Sequence, residues 1–178
     1  MAPMTVYVVL LRGINVGRHK RIAMADLRRL LAGLGYRDVA THLQSGNAVV
    51  TSGDEGPAAV AAAVAEGLRD RCGLDVPVVV RTAETFAAAV SANPLEVVDP
   101  SRFLVLFCSG ALDTHALTSL DMGRYPDERF AVTATEAYTV HEEGLRQARL
   151  PDVVARHTDG VVTGRNWRTV LRIAEMIR

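Results

Sequence analysis

Three short polar stretches hold the residue types that could bind or react. The first is Arg12-Gly13-Ile14-Asn15-Val16-Gly17, with Lys20 just beyond it. Glycines let backbone N–H groups turn inward and approach an anion closely, and Arg12 and Lys20 add positive charge. The spacing is neither Gly-x4-Gly-Lys-Ser/Thr nor Gly-x-Gly-x-x-Gly, so it is no P-loop and no dinucleotide fingerprint. The second is Gln44-Ser45-Gly46-Asn47. Ser45-Gly46 reads as turn chemistry, while Gln44 and Asn47 offer amides to a polar ligand. Ser45 has no Gly-x-Ser-x-Gly surround to make it a nucleophile. The third is Thr163-Gly164-Arg165-Asn166-Trp167-Arg168-Thr169. Asn166 suits a helix N-cap, and a helix start presents unpaired N–H groups and a positive dipole end. Arg165 and Arg168 flank it.

Arg12, Asn15, Lys20, Gln44, Asn47, Arg165, Asn166 and Arg168 therefore make up the expected ligand-binding set, in one pocket where the first loop and the last helix are expected to meet. The ligand they suit is phosphate-bearing, either a nucleotide or a nucleic-acid end. The plainer reading of the same stretches is surface turns with solvated charges and Trp167 as a core anchor. No catalytic residue is identifiable. The histidines His19, His42, His115, His141 and His157 lack metal-ligand spacing and read as surface or core side chains. Cys72 and Cys108 form no metal motif or disulfide framework. The reading thus implies no metal and no cofactor.

The elements that position these stretches follow from hydrophobic periodicity. Thr5 to Leu11 is an apolar, β-branched run too short for a helix, which predicts a buried strand. Leu27, Leu30, Leu31 and Leu34 recur at helical spacing and predict a helix over Ala25–Leu34. Strands over Val39–Gln44 and Asn47–Thr51, a helix over Pro57–Arg71 and a strand over Val76–Arg81 complete β-α-β-β-α-β. A connecting helix over Ala83–Ser91 and the turn-forming Asn93-Pro94 and Asp99-Pro100 follow.

The second half repeats the order in weaker form. It has strands over Phe103–Cys108, Arg129–Thr133, Ala137–His141 and Val161–Thr163, and helices over Leu112–Leu120 and Pro151–His157. A helix over Asn166–Ile177 closes the chain. The expected class is α+β: two tandem ferredoxin-like units plus a C-terminal helix. The first unit with its connecting helix spans 1–92 and the second spans 101–178, packed as one body.

Twenty basic and twenty acidic residues balance, which excludes a polybasic nucleic-acid coat. The balance hides a pattern. Residues 1–37 carry seven basic groups against one acid, and residues 146–178 carry seven against three. No apolar run approaches the roughly 18 residues of a membrane span. The start, Met1-Ala2-Pro3-Met4-Thr5, lacks the build of a signal peptide. The chain is expected to be cytoplasmic, a monomer or homodimer, with no membrane partner.

Three stretches together resemble an uncharacterised bacterial family, domain-of-unknown-function family 1697. They are Leu10-Leu11-Arg12-Gly13-Ile14-Asn15-Val16-Gly17, Leu43-Gln44-Ser45-Gly46-Asn47 and Arg165-Asn166-Trp167-Arg168-Thr169-Val170. Val76-Pro77-Val78-Val79-Val80-Arg81-Thr82 and Asn93-Pro94 extend the likeness along the chain. The resemblance implies two ferredoxin-like units and no established activity. Where the family usually has Ser-Lys before the penultimate helix, this chain has Ala148-Arg149, and its last motif is Arg-Asn-Trp-Arg in place of Arg-Asn-Trp-Asn. Two other functions compete with phosphate binding. One is an enzyme acting on a small polar metabolite, which needs a general base. The other is an interaction module whose two open sheets pair by edges or faces.

Overall fold

The computed structural model describes residues 2–178. The chain divides into two compact units. The first runs to Ala88 and takes in Ile173–Arg178, and the second is Ala89–Arg172.

The first unit begins with β1 (Met4–Leu11), α1 (Met24–Gly33) and β2 (Arg37–His42). It continues through β3 (Asn47–Gly53), α2 (Pro57–Cys72) and β4 (Val78–Thr82). Its sheet has the order β2-β3-β1-β4, with every pair antiparallel. Tyr7, Val9 and Leu11 point from β1 to Leu27 and Leu31 of α1 and to Val60, Val64 and Leu68 of α2. Val8 and Leu10, on the opposite face, are fully buried as well. A strand paired on both edges and covered on both faces needs apolar residues without alternation, and that is what Val6–Leu11 supplies.

The connecting helix α3 (Ala83–Ser91) carries the unit boundary. The second unit comprises β5 (Phe103–Cys108), α4 (Thr114–Thr118), β6 (Glu128–Val132) and β7 (Glu136–His141). Then come α5 (Leu150–Ala155), β8 (Val162–Asn166) and α6 (Trp167–Met176). The sheet order β6-β7-β5-β8 reproduces the first unit's arrangement. Both halves therefore have the ferredoxin-like β-α-β-β-α-β order, in an α+β chain.

The elements differ from the sequence expectation mainly in the second half. The helix expected over Leu112–Leu120 contracts to Thr114–Thr118. Asp113 caps its start by accepting from the Ala116 N–H, and the Ser119 hydroxyl bonds back to the His115 carbonyl at its end. The last strand, expected over Val161–Thr163, extends to Asn166 because β5 pairs with it through Leu104↔Asn166. Arg165 thus lies on a strand. The sheet faces are also less open than expected: Val105 and Phe107 are as buried as Val8 and Leu10. The outer strands of the two sheets are β2 and β4, and β6 and β8.

Gly46 fixes how the β2–β3 turn meets the loop after β1. Its φ is +87°, and a Cβ there would stand 2.7 Å from Ile14 Cδ1 and 2.8 Å from Leu11 Cβ. Gly46→Ala combines an unfavourable backbone conformation with overpacking. It is expected to lower the unfolding free energy by about 2 kcal/mol or more, measured by urea denaturation.

Candidate functional site

The loop after β1 is organised by one carboxamide. Asn15 Nδ2 donates to the carbonyls of Ile22 and Gln44, at 2.9 and 2.7 Å, and Oδ1 accepts from the Ile22 N–H at 2.9 Å. The Asn15 N–H reaches the Lys20 carbonyl, closing a small loop within which Val16 and His19 form an isolated bridge. Asn15 and Lys20 both take positive φ, 54° and 50°. Asn tolerates that region better than most residues, which gives a local reason for asparagine here. Asn15 is therefore a framing residue whose amide is already engaged.

Around this frame lies an open cleft of about 600 Å3. Asn15, Arg21, Ile22, Ala23, Asp26, Gln44, Arg71 and Cys72 line it. The start of α1 forms part of the wall, and its N-cap position, Ala23, gives no side-chain cap. Asp26 opposes the positive charge but is paired with Arg29. Arg12 and Lys20, both expected as ligands, are exposed and lie outside this lining, as does Arg18. Asn47 is buried, its Nδ2 donating to the His42 carbonyl and to Ser45 Oγ, so it closes the β2–β3 turn. Arg21 and Arg71 were missed by sequence reasoning. Arg71 comes from the far end of α2, and nothing local ties it to the loop.

The remaining expected residues lie in the second unit. Arg165 is buried on β8, and its Nη1 donates to Thr163 Oγ1 and to the Gly164 carbonyl, both at 2.8 Å. Burial pulls its guanidinium down to about 10. Asn166 Oδ1 accepts from the Thr169 N–H at 3.0 Å, the expected cap of α6. Trp167 packs edge-to-face on Phe103, with ring centres 5.2 Å apart. Arg168 is exposed beside Asp99. The Asp99 carboxyl is held below its ordinary value mainly by Ser101, with Arg102 and Arg168 contributing less.

A second cleft, of about 240 Å3, opens on this unit. Tyr125, Asp127, Glu128, His141, Glu143, Gln147 and Arg149 contribute to its wall. Glu128 and His141 face each other across the β6–β7 ladder as directly paired residues. The Glu128 carboxylate accepts the Arg149 N–H at 2.5 Å and the Leu150 N–H at 2.8 Å, anchoring the start of α5. His141 is 1% exposed. Its Nε2 lies 2.7 Å from Thr139 Oγ1, while Nδ1 has no hydrogen-bond partner and stands 3.7 Å from Glu128 Oε1. Leaving a buried polar atom unpaired costs about 1–3 kcal/mol. The order Thr–His–Glu resembles a catalytic triad, but Thr139 is fully buried and outside the cleft wall, so its hydroxyl is no accessible nucleophile. The hairpin register was the signal for this pair: extending the expected strands by one residue sets Glu128 against His141.

The fold and these clefts define an α+β protein of two ferredoxin-like units, each with its own polar cleft. Residues 4–138 match the family described as protein of unknown function (DUF1697), and the chain belongs to that family. A solved structure of a conserved bacterial protein from Streptococcus pneumoniae, SP0830, is similar, with a TM-score of 0.75 at 24% identity. The match covers 99% of this chain and 100% of that one, and it is a likeness of fold. Among curated proteins, none matches the chain. Among the described residues, no group of three or more His, Cys, Asp or Glu could hold a metal ion, and no helix is long and apolar enough to cross a membrane.

Burial outweighs the attraction of Glu128 and holds the His141 imidazole below its ordinary value of 6.5. The unfolded chain therefore takes up a proton at a pH where the folded chain does not. Stability from neutral His141 is present above 6.5 and is lost as pH falls below it. Unfolding midpoints measured from about pH 7 to about pH 5 should fall, and the fall should be shallower in His141→Gln.

Proposed function

We propose that the chain binds a phosphate-bearing ligand, a nucleotide or a nucleic-acid end, at the cleft of the first unit. One observation carries the reading: Arg21, held in the loop before α1 by its Nη2 donating to the Gly17 carbonyl, and Arg71, near the end of α2, line one cleft together with the uncapped start of α1. Arginine forks suit phosphate oxygens, and helix N–H groups add donors and a favourable dipole. Asn15 holds the loop in place, and the Gln44 side chain supplies a polar contact in the wall. Asn47 supports the turn beneath it. Arg12 and Lys20 extend the positive field outside the cleft and favour approach of an anion. Arg165, Asn166 and Arg168 lie in the second unit and form no part of this cleft. A nucleotide ligand accords with a cytoplasmic protein.

Calorimetric titration of ATP and anisotropy of a labelled single-stranded oligonucleotide, at about 50 and about 200 mM salt, test this reading. Saturable binding that weakens steeply with salt is expected. Arg21→Ala or Arg71→Ala should each cost roughly tenfold or more in affinity, as loss of a charge-assisted contact does. Absence of saturable binding for every phosphate ligand would overturn the reading.

A further inference from the structure

We propose that the second unit's cleft is a separate site for the head group of a small primary amine. Three features of the cleft lead to this ligand. The first is the unsatisfied atom. His141 is almost completely buried, forms part of the wall, and leaves Nδ1 without a partner while Nε2 meets Thr139. The contact with Thr139 Oγ1 is compatible with either tautomer; the amine site requires the one with the proton on Nε2, which leaves a lone pair on Nδ1.

The second feature is spacing. Nδ1 and Glu128 Oε1 are 3.7 Å apart, too far to bond each other. A single donor atom about 2.9 Å from each spans that gap. An ammonium nitrogen has three N–H groups and no acceptor. Two would satisfy Nδ1 and Oε1, and the third is left for a carboxylate at the rim.

The third feature is charge. Asp127, Glu128 and Glu143 give the wall three carboxylates against one cation, Arg149. That cation is already engaged: its guanidinium lies 4.7 Å over the Tyr125 ring and its Nη2 donates to the Arg124 carbonyl. An anion here would meet the carboxylates, whereas a cation relieves their mutual repulsion. The planar fork of a guanidinium fits two acceptors on different strands less well than a tetrahedral ammonium does. The volume of about 240 Å3 admits a head group with a short chain.

Burial favours the neutral imidazole, the form that can accept from an ammonium. This site is independent of the first unit's cleft, and its ligand has the opposite charge. Either reading can therefore fail without the other.

The test uses the full chain with 15N-labelled histidine, titrated with n-propylammonium chloride and followed by imidazole nitrogen shifts. A saturable change at His141 is expected, with Nδ1 at the position of an unprotonated nitrogen in the bound state. Tetramethylammonium chloride, which cannot donate, and sodium acetate should leave His141 unmoved. Asp127→Asn with Glu143→Gln alters only exposed rim residues and should weaken the affinity several-fold without changing the unfolding temperature. Three results would each overturn the proposal: no saturable shift before ionic strength alone moves the spectrum, an equal response to tetramethylammonium or acetate, or a rim variant that binds as tightly as the original.

Discussion

Each half of the chain hangs on a central strand from which water is excluded on every side. β1 is hydrogen-bonded to β3 and β4, and Tyr7 to Leu11 are buried on both faces. β5 stands in the same position between β7 and β8. A residue inside such a strand has no solvent alternative, so its backbone groups must be paired and its side chain must be apolar. Polar chemistry is displaced to strand ends and to the sheet margins. The loop after β1 and the cleft beside β6 and β7 occupy those places.

This constraint explains how far the sequence could be read. Central strands announce themselves as unbroken apolar runs, and Thr5–Leu11 and Phe103–Cys108 needed no tertiary information. Asn166 was legible as a cap because capping depends on neighbours three residues away. The clefts were less legible because their residues meet only through folding. Arg71 reaches the first cleft from the end of a sixteen-residue helix. Asn15 and Asn47 carried ligand-like amides in the sequence, but both amides are engaged by nearby backbone. Sequence alone cannot separate an amide that binds from one that frames. Arg165 is similar: its position on β8 and its burial depend on the pairing with β5, which periodicity in a short, glycine-containing segment did not reveal.

The two clefts also show why bulk charge says little about binding. The chain is formally neutral. Locally, one cleft sets two arginines against a single aspartate that is already ion-paired, and the other sets three carboxylates against a single arginine. Fields of this kind are local, because solvent and salt screen exposed charges beyond about 10 Å. A neutral protein can thus present surfaces of opposite sign.

The double hydrogen bond that Glu128 accepts from the start of α5 has a consequence for how the β6–β7 hairpin finds its alignment. A slip of β6 by one residue would carry Glu128 to the other side of the sheet and offer Arg129, a donor, to two N–H groups that need an acceptor. Phe130, which packs beside Leu106 and Ala137, would lose its place in the core at the same time. Edge strands are the ones most prone to such slippage, because only one neighbour holds them. Here a single carboxylate makes the neighbouring alignments chemically self-defeating, so the hairpin carries its own proofreading.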